Sequence, residues 1–432
     1  MTKVIILSYF FPPANFVGAE RTAAWYKHLP KDGVFPIIVT RQWNLHQTDL
    51  TAKQNNNELI VEREQNGEIH RLPYKQSIRD KLSAYPSFWP FQKALTLFEL
   101  IFSNFFVGAL PFNNFYDYCV RLIEQNKDIQ VVIASGRPFQ SFFIGYLLKR
   151  KFPHLIWIPD YRDEWNTHQQ KTAKNGLEKF IFYLEKKSER LWTSNANLFL
   201  SVSDYWVASI RQLIKKRGEV IKNGYHDTPV LIAKNTKPNQ LILAYTGTLY
   251  PYQPIEHIIN AVVAVAKKTN INIHFFFIGI DMIPEQEKKV RTLVSGYDEL
   301  FTIEPRMPKE KLLEYYALTD LFFLTNYENI KGWYPVKLFE YYQSKTPILL
   351  CPSDNDVLAD FITTTNCGFI ANNVAECENI LLELYRKKST EGAITTLVNE
   401  QVGLQYSRAY QTSLLAKLIH QLTEKNKLNP IV

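Results

Sequence analysis

The sequence has few cysteines, and none of them is spaced to bind a metal. The four thiols show no CxxC pattern and no histidine cluster beside them. They are Cys119, Cys351, Cys367 and Cys377. This argues against a zinc site and a redox pair, and it is typical of a reducing compartment. The chain also lacks a long block of Lys or Arg, because its basic residues are spread in ones and twos as on solvated helix faces. Nucleic acid is therefore not an expected partner.

The N-terminus lacks the pattern of a secretory signal peptide. After Met1, Thr2 and Lys3 the chain enters a strand-like run with no longer apolar stretch and no small-residue cleavage site. The sequence shows no internal repeat, and its 16 Gly and 22 Pro leave no room for a long flexible linker. We therefore expect a cytoplasmic, globular protein.

The chain is long and positively charged. Its 432 residues exceed what one hydrophobic core organises, so we expect two domains of roughly 200 residues each. The formal net charge of +8 favours an anionic partner, either a phosphorylated small molecule or an anionic membrane surface.

Short apolar runs alternate with longer helical patterns along most of the chain. The runs predict strands at 4–9, 35–40, 131–135, 155–159, 197–202, 241–247, 274–279, 321–326 and 347–351. Helical patterns in the second half lie at 254–268, 308–318 and 336–344. This alternation predicts an α/β fold of two facing Rossmann-like domains, each a parallel sheet with helices on both faces.

A turn signal at 221–225, followed by a stretch with two prolines and little periodicity, marks the predicted domain boundary. The first domain is expected at 1–225 and the second at 226–405. An amphipathic pattern predicts a final helix within 406–432 that packs back towards the first domain.

The segment 88–112 is unusually rich in Phe and Leu. Gln92, Thr96, Glu99 and Ser103 recur at helical spacing, so they form a narrow polar stripe on an apolar helix that lies in a plane and does not cross a membrane. The sequence leaves two interpretations open. One is contact with an anionic membrane to reach a lipid-linked acceptor, although the stripe is short of Lys and Arg. The other is a deeply packed helix of the first domain.

The loops after the predicted strands are the expected sites of chemistry, because ligands bind at the carboxyl ends of parallel strands. The first such loop reads YFFPPANFVGAER over 9–21 and leads into a helix. It is either a simple turn or an anion site at a helix amino end. The motif resembles the opening of family 4 glycosyltransferases of the GT-B fold. Val17 replaces the first glycine of the family's pair, which leaves Gly18 and the helix residue Arg21 as implied donor-binding residues.

The stretch PDYRDEW at 159–165 is similar to the Asp-Phe-Arg-Asp-Pro-Trp stretch of the same family. The resemblance implies catalytic, acceptor-side roles for Asp160, Arg162 and Asp163. The alternative is a buried Asp–Arg pair that fixes the loop. Downstream, Lys222-Asn223-Gly224-Tyr225 resembles the family's hinge into the second domain.

In the second half, a glycine turn at Gly247 follows a strand, and its amides are suited to a diphosphate. The family commonly carries an Arg just after this glycine and a Lys a few residues later, whereas this chain has Thr248 and Tyr250. Gly247 and Thr248 are the implied donor-binding residues of this turn. Another cation must therefore offset the charge of the leaving group. Arg306 is a candidate, since Glu304-Pro305-Arg306 resembles the loop beside the nucleotide base.

The run PVKLFEYYQSKTP at 335–347 looks like the family's Lys-x-x-Glu-Tyr helix and the strand after it. Lys337 and Glu340 are three residues apart and share a helix face, so the lysine suits diphosphate oxygens and the carboxylate suits ribose hydroxyls. The alternative is a surface ion pair. Gly332 stands where the family often has a second Glu, and the loop candidates for binding the sugar are Glu328, Asn329, Lys331 and Gly332.

Asp354-Asn355-Asp356 spells the DxD motif of metal-dependent transferases. Because it follows a strand directly, we expect Asp356 to cap a helix, and we expect no metal cofactor.

The resemblance implies a retaining glycosyltransferase of the hexosyltransferase type that takes a nucleotide sugar as donor. The implied acceptor is a hydroxyl on a glycan or a lipid-linked molecule, in cell-surface polysaccharide or glycolipid synthesis, with the enzyme at the inner face of the membrane. Two alternatives remain: a sugar-nucleotide epimerase of the same fold, and a catalytically silent nucleotide-sugar-binding subunit.

Overall fold

A computed structural model describes residues 1–14, 16–43, 58–75, 85, 91–103, 105–106, 112–226, 237, 239–269 and 271–428. Contacts within the chain divide it into two compact units. Unit 1 comprises Met1–Asn223 and Arg408–Val432, and unit 2 comprises Gly224–Ser407. The division after Asn223 lies beside the boundary expected after residue 225, and the C-terminal helix belongs to unit 1.

Unit 1 is built on an eight-stranded sheet in the order β3-β4-β2-β1-β5-β6-β7-β8. Its strands are β1 (Thr2–Ser8), β2 (Val34–Arg41), β3 (Ile60–Glu64), β4 (Gly67–Leu72), β5 (Ile129–Gly136), β6 (Ile156–Tyr161), β7 (Phe199–Ser201) and β8 (Gly218–Val220). Only the edge pair β3–β4 is antiparallel among these described strands. The central strands are buried along almost their whole length, because helices cover both faces of a parallel sheet.

The helices of unit 1 are α1 (Val17–His28), α2 (Gln92–Phe102), α3 (Asn114–Gln125), α4 (Ser141–Lys151), α5 (Gly176–Trp192), α6 (Asp204–Ile214) and the C-terminal α14 (Arg408–Leu428). Helix α14 packs against α1. Its Leu415 and Ile419 are fully buried in one core with Val4 and Trp25. The last helix of the chain therefore completes the core of the first unit.

Unit 2 contains a six-stranded, all-parallel sheet in the order β11-β10-β9-β12-β13-β14. Its strands are β9 (Leu241–Thr246), β10 (Ile273–Ile278), β11 (Phe301–Glu304), β12 (Leu321–Leu324), β13 (Ile348–Leu350) and β14 (Gly368–Ile370). Its helices are α7 (Glu256–Lys268), α8 (Pro284–Val294), α9 (Lys309–Leu318), α10 (Val336–Gln343), α11 (Val357–Thr365), α12 (Val374–Glu391) and α13 (Glu400–Leu404). The predicted α/β class, with two mostly parallel sheets and helices on both faces, is confirmed.

The apolar segment predicted at 88–112 forms a helix only over Gln92–Phe102, and 86–90, 104 and 107–111 lie outside the described residues. Among the described residues of the segment, Phe91 is 61% exposed just before the helix. Four further aromatic side chains are exposed: Phe98 (51%), Phe102 (38%), Phe105 (56%) and Phe106 (59%). Ser103 of the predicted polar stripe is buried instead. These four rings are not packed in a core, so they do not fit the interpretation of a deeply packed helix. None of the described helices combines the length and the apolar character needed to cross a bilayer.

Candidate functional site

Three loops meet at the carboxyl edge of the unit 2 sheet. They follow β9, β10 and β11 and contain Gly247, Gly279 and Arg306 respectively. A Cβ built on Gly279 would lie 3.6 Å from the Arg306 Cα and 3.7 Å from the Gly247 backbone, so the three loops are in contact. Gly247 and Gly279 both have left-handed backbones, with φ of 79° and 75°, which favours glycine. Loops at this edge are where parallel α/β sheets bind ligands.

Arg306 is exposed on this edge and held from its backbone side. Its N–H donates to Asp281 Oδ1 at 3.1 Å, and its guanidinium lies 3.4 Å from the Met282 sulfur. The predicted cation is therefore present at the point where the three loops meet. Gly247 has open space around the position of a Cβ, although its own N–H donates to the Ile278 carbonyl at 2.7 Å.

Lys337, near the amino end of α10, reaches the loop after β9. Its ammonium donates to the Thr248 carbonyl at 3.1 Å and lies 3.8 Å from the centre of the Tyr245 ring. The Tyr245 hydroxyl donates to the same carbonyl at 2.9 Å, which fixes the loop. Although part of the lysine side chain reaches solvent, burial of the ammonium lowers the pKa of Lys337 to about 7, and the nearby Glu340 carboxylate opposes this shift only in part.

Glu340 is exposed one turn further along α10. Its carboxylate is close enough to act on the Lys337 pKa, yet the two side chains differ strongly in burial. A half-buried lysine that donates to a backbone carbonyl is not half of a solvated surface ion pair. The interpretation of Lys337 and Glu340 as a surface ion pair is therefore the less favoured of the two.

The loop after β12 contains the four candidates for sugar binding. Glu328, Asn329 and Lys331 are exposed, while the Gly332 N–H donates to Asp356 Oδ2 at 2.5 Å. Gly332 has a φ of 73°, so a side chain here, including the family's Glu, would strain the backbone.

The prediction that the Asp356 side chain caps a helix is wrong, because that side chain makes no hydrogen bond to the amino end of α11. Asp354 accepts the N–H groups of Leu358 and Ala359, both at 2.9 Å, and so satisfies the amino end of α11. Asp356 is the first residue outside that helix, and its carboxylate anchors Gly332 instead. Among the described residues there is no group of three or more acidic, His or Cys side chains placed to hold a metal.

An aromatic cluster borders the same edge and was not singled out from the sequence. Tyr250 stacks on Tyr252 with ring centres 5.6 Å apart, and Tyr327 stacks on Trp333 at 4.7 Å. These rings come from the loops after β9 and β12, which are neighbouring strands. The sequence signal was available: aromatic residues stand in both loops, at or beside the positions where the family has its Lys and second Glu.

In unit 1, Arg21 and Asp160 form a buried ion pair. Their side chains are 4% and 0% exposed, with Arg21 Nη2 2.9 Å from Asp160 Oδ1. Arg21 Nη1 also donates to the Ile221 carbonyl at 2.8 Å, and Ser135 donates to Asp160 at 2.9 Å. These contacts connect α1, β5 and β6 with Ile221, which lies near the end of the first segment of unit 1. They favour the interpretation of a pair that fixes the loop over direct roles for Arg21 and Asp160.

Arg162 lies against Gly18 at the start of α1. A Cβ on Gly18 would lie 1.6 Å from Arg162 Nη1, so this glycine leaves room for the guanidinium. The buried Nε of Arg162 has no hydrogen-bond partner among the described residues, and Asp163 Oδ2 is 3.7 Å away from it. Burial lowers the pKa of Arg162. The structure therefore brings Gly18, Arg162 and Asp163 together at the carboxyl end of β6.

Two buried carboxyl groups beside this loop were also not singled out. Glu164 is 1% exposed, and burial raises its pKa to about 7. Glu189 is fully buried, accepts from Asn166 at 2.7 Å, and has its pKa raised to about 7 mainly by the same cause. Glu164 and Glu189 are distant in sequence, so local patterns do not reveal that they are close. They come together because α5 brings Glu189 to the end of β6.

Comparison with solved structures identifies the fold as GT-B. Sucrose-phosphate synthase from Thermosynechococcus elongatus matches with a TM-score of 0.62 at 15% identity, covering 98% of this chain and 100% of that chain. A UDP-forming α,α-trehalose-phosphate synthase from Burkholderia vietnamiensis matches with a TM-score of 0.61 at 10% identity, covering 98% and 100%. The catalytic domain of starch synthase IV from Arabidopsis thaliana, bound to ADP and acarbose, matches with a TM-score of 0.57 at 10% identity, covering 98% of both.

Residues 227–388, within unit 2, match the family model of glycosyl transferases group 1. No curated protein matches the chain by sequence. The domain match and the GT-B fold together support a glycosyltransferase.

Proposed function

We propose that this protein transfers a hexosyl group from a nucleotide diphosphate sugar to a hydroxyl acceptor with retention of configuration. The observation that carries the proposal is the meeting of Gly247, Gly279, Arg306 and Lys337 at one sheet edge of the group 1 domain. Two of the similar solved structures involve nucleoside diphosphates: the starch synthase IV domain is bound to ADP, and the trehalose-phosphate synthase is UDP-forming.

Cleavage of the donor builds negative charge on the diphosphate. Arg306 and Lys337 are the cations that would offset it, in place of the Arg and Lys that Thr248 and Tyr250 replace. Preorganised charges of this kind act strongly because they need no rearrangement during the reaction. The Thr248 amide would bind phosphate oxygens, since the Gly247 N–H already donates to the Ile278 carbonyl. Glu340 would accept hydrogen bonds from the ribose. No metal enters this scheme.

Arg162 and Asp163 are proposed for the acceptor side, with Gly18 giving room to the arginine. Arg21 and Asp160 would act there only by fixing the loop. The acceptor is a glycan or a lipid-linked hydroxyl of surface polysaccharide or glycolipid synthesis. The exposed Phe98, Phe102 and Phe105 would meet the membrane that carries it.

Thr248 and Tyr250 replace the family's Arg and Lys, and Gly332 stands where the family often has a second Glu. These departures favour a second candidate, a subunit that binds nucleotide sugars without turnover. An epimerase would act on the donor alone. Incubation with UDP-, GDP- and dTDP-sugars, with and without glycan acceptors, separates the three. Transfer only with acceptor supports the proposal, donor conversion without acceptor supports the epimerase, and thermal stabilisation without product supports the silent subunit.

Glu340→Ala is expected to weaken donor binding by about 1.5–3 kcal/mol, because a hydrogen bond to a charged group is lost. The exposed position means that the melting temperature should stay near that of the parent. Titration calorimetry with the donor found in the screen measures the effect. Glu383→Ala, at an exposed position of α12, is the matched control. Equal donor affinity for parent and variant would remove Glu340 from the site.

Activity is expected to persist in excess EDTA, because Lys337, Arg306 and backbone amides are proposed to stabilise the diphosphate charge without a metal ion. The measurement is initial transfer rate before and after dialysis against EDTA. Complete loss that Mn²⁺ or Mg²⁺ restores would show that the reaction needs a metal after all, with Asp354 and Asp356 as the first residues to test.

A further inference from the structure

Helix α5 (Gly176–Trp192) carries acidic and basic residues in nearly equal number, yet it places them on opposite sides. Its three acids make internal contacts. Glu178 accepts from the Lys174 backbone, Glu185 pairs with Lys171 at 2.5 Å, and Glu189 is fully buried. The four basic residues are exposed: Lys179, Lys186, Lys187 and Arg190, the last of which also donates from Nε to the Leu213 carbonyl at 3.2 Å. The solvent side of α5 is therefore cationic, although the helix as a whole is close to neutral.

The same side exposes large apolar side chains. Leu177, Phe180, Tyr183 and Leu191 are 51%, 49%, 54% and 49% exposed. Lys187 lies 4.9 Å above the Tyr183 ring, so cations and rings share the surface. Lys179, Tyr183, Lys186 and Arg190 follow at spacings of four, three and four, which aligns them along one stripe, and Phe180 and Leu191 lie beside it.

We propose that this face of α5 docks on an anionic lipid bilayer. A row of lysines attracts anionic headgroups, and aromatic and leucine side chains beside it enter the interface, which is the composition of helices that lie in the membrane plane. Protein interfaces are depleted in lysine, so three exposed lysines among the rings fit lipid better than a protein partner. The docking does not depend on glycosyl transfer.

The test is sedimentation of the full-length protein with vesicles of phosphatidylcholine, alone or mixed with phosphatidylglycerol, with no donor present. The triple variant of Lys179, Lys186 and Lys187 to Gln should bind the mixed vesicles more than about tenfold more weakly. The control changes Lys288, Lys311 and Lys417 to Gln, which removes the same charge from exposed sites on other helices. The control should bind nearly as the parent does.

A second variant separates the apolar contribution. Phe180 and Tyr183 changed to Ser should keep the attraction to mixed vesicles at low salt but lose the binding that persists at high salt, because only the charge term is screened. Equal binding by the α5 lysine variant and its control, with melting temperatures unchanged, would overturn the proposal. So would loss of binding only when Phe98, Phe102 and Phe105 of the α2 segment are changed to Ser, or no binding of mixed vesicles by the parent.

Discussion

Replacing Lys337 with methionine is expected to lower the transfer rate by about 100- to 1,000-fold, the usual effect of removing one preorganised group that stabilises transition-state charge. Methionine keeps a flexible chain of similar length over the Tyr245 ring, so the helix and the loop after β9 should stay folded. Steady-state kinetics with saturating donor measures the change. A rate within a few-fold of the parent, at equal melting temperature, would show that Lys337 takes no part.

The same lysine predicts a pH dependence that the methionine variant lacks. Burial lowers the Lys337 pKa to about 7, so the side-chain amino group is mostly neutral above this pH when no sugar donor is bound. A diphosphate favours the charged form, so donor binding takes up a proton there and the dissociation constant rises as the pH increases beyond 7. Titrations from pH 6 to pH 9 should show this rise in the parent and not in the variant.

Arg21→Met is expected to destabilise the protein by about 3–5 kcal/mol, because Asp160 would be left as a buried charge without its partner. Urea unfolding measures this loss. The second variant, Arg21→Met combined with Asp160→Leu, removes both charges and should recover part of the stability. If Arg21→Met instead keeps the parent's stability and lowers donor affinity, Arg21 is a donor ligand and not a structural group.

The sequence predicted the main strands well because parallel strands buried on both faces are apolar almost throughout. Each strand expected between residues 4 and 351 is present. The strands that were missed are β3, β4, β8, β11 and β14. They lie at sheet edges or beside them. In the first four of these strands polar residues interrupt the apolar run, as in Ile60–Glu64 with its two glutamates and one arginine. Strand β14 is apolar but only three residues long.

The sequence by itself determined the α/β class and the position of the Lys337–Glu340 helix, because these depend on local periodicity. Only the tertiary structure decided which charged groups are free to act. Arg21 and Arg162 look alike in the motifs, yet Arg21 is paired with the fully buried Asp160, whereas the Nε of Arg162 has no hydrogen-bond partner among the described residues. The lowered pKa of Lys337 and the cationic face of α5 likewise depend on burial. Burial is set by neighbours distant in sequence, and local patterns do not contain it.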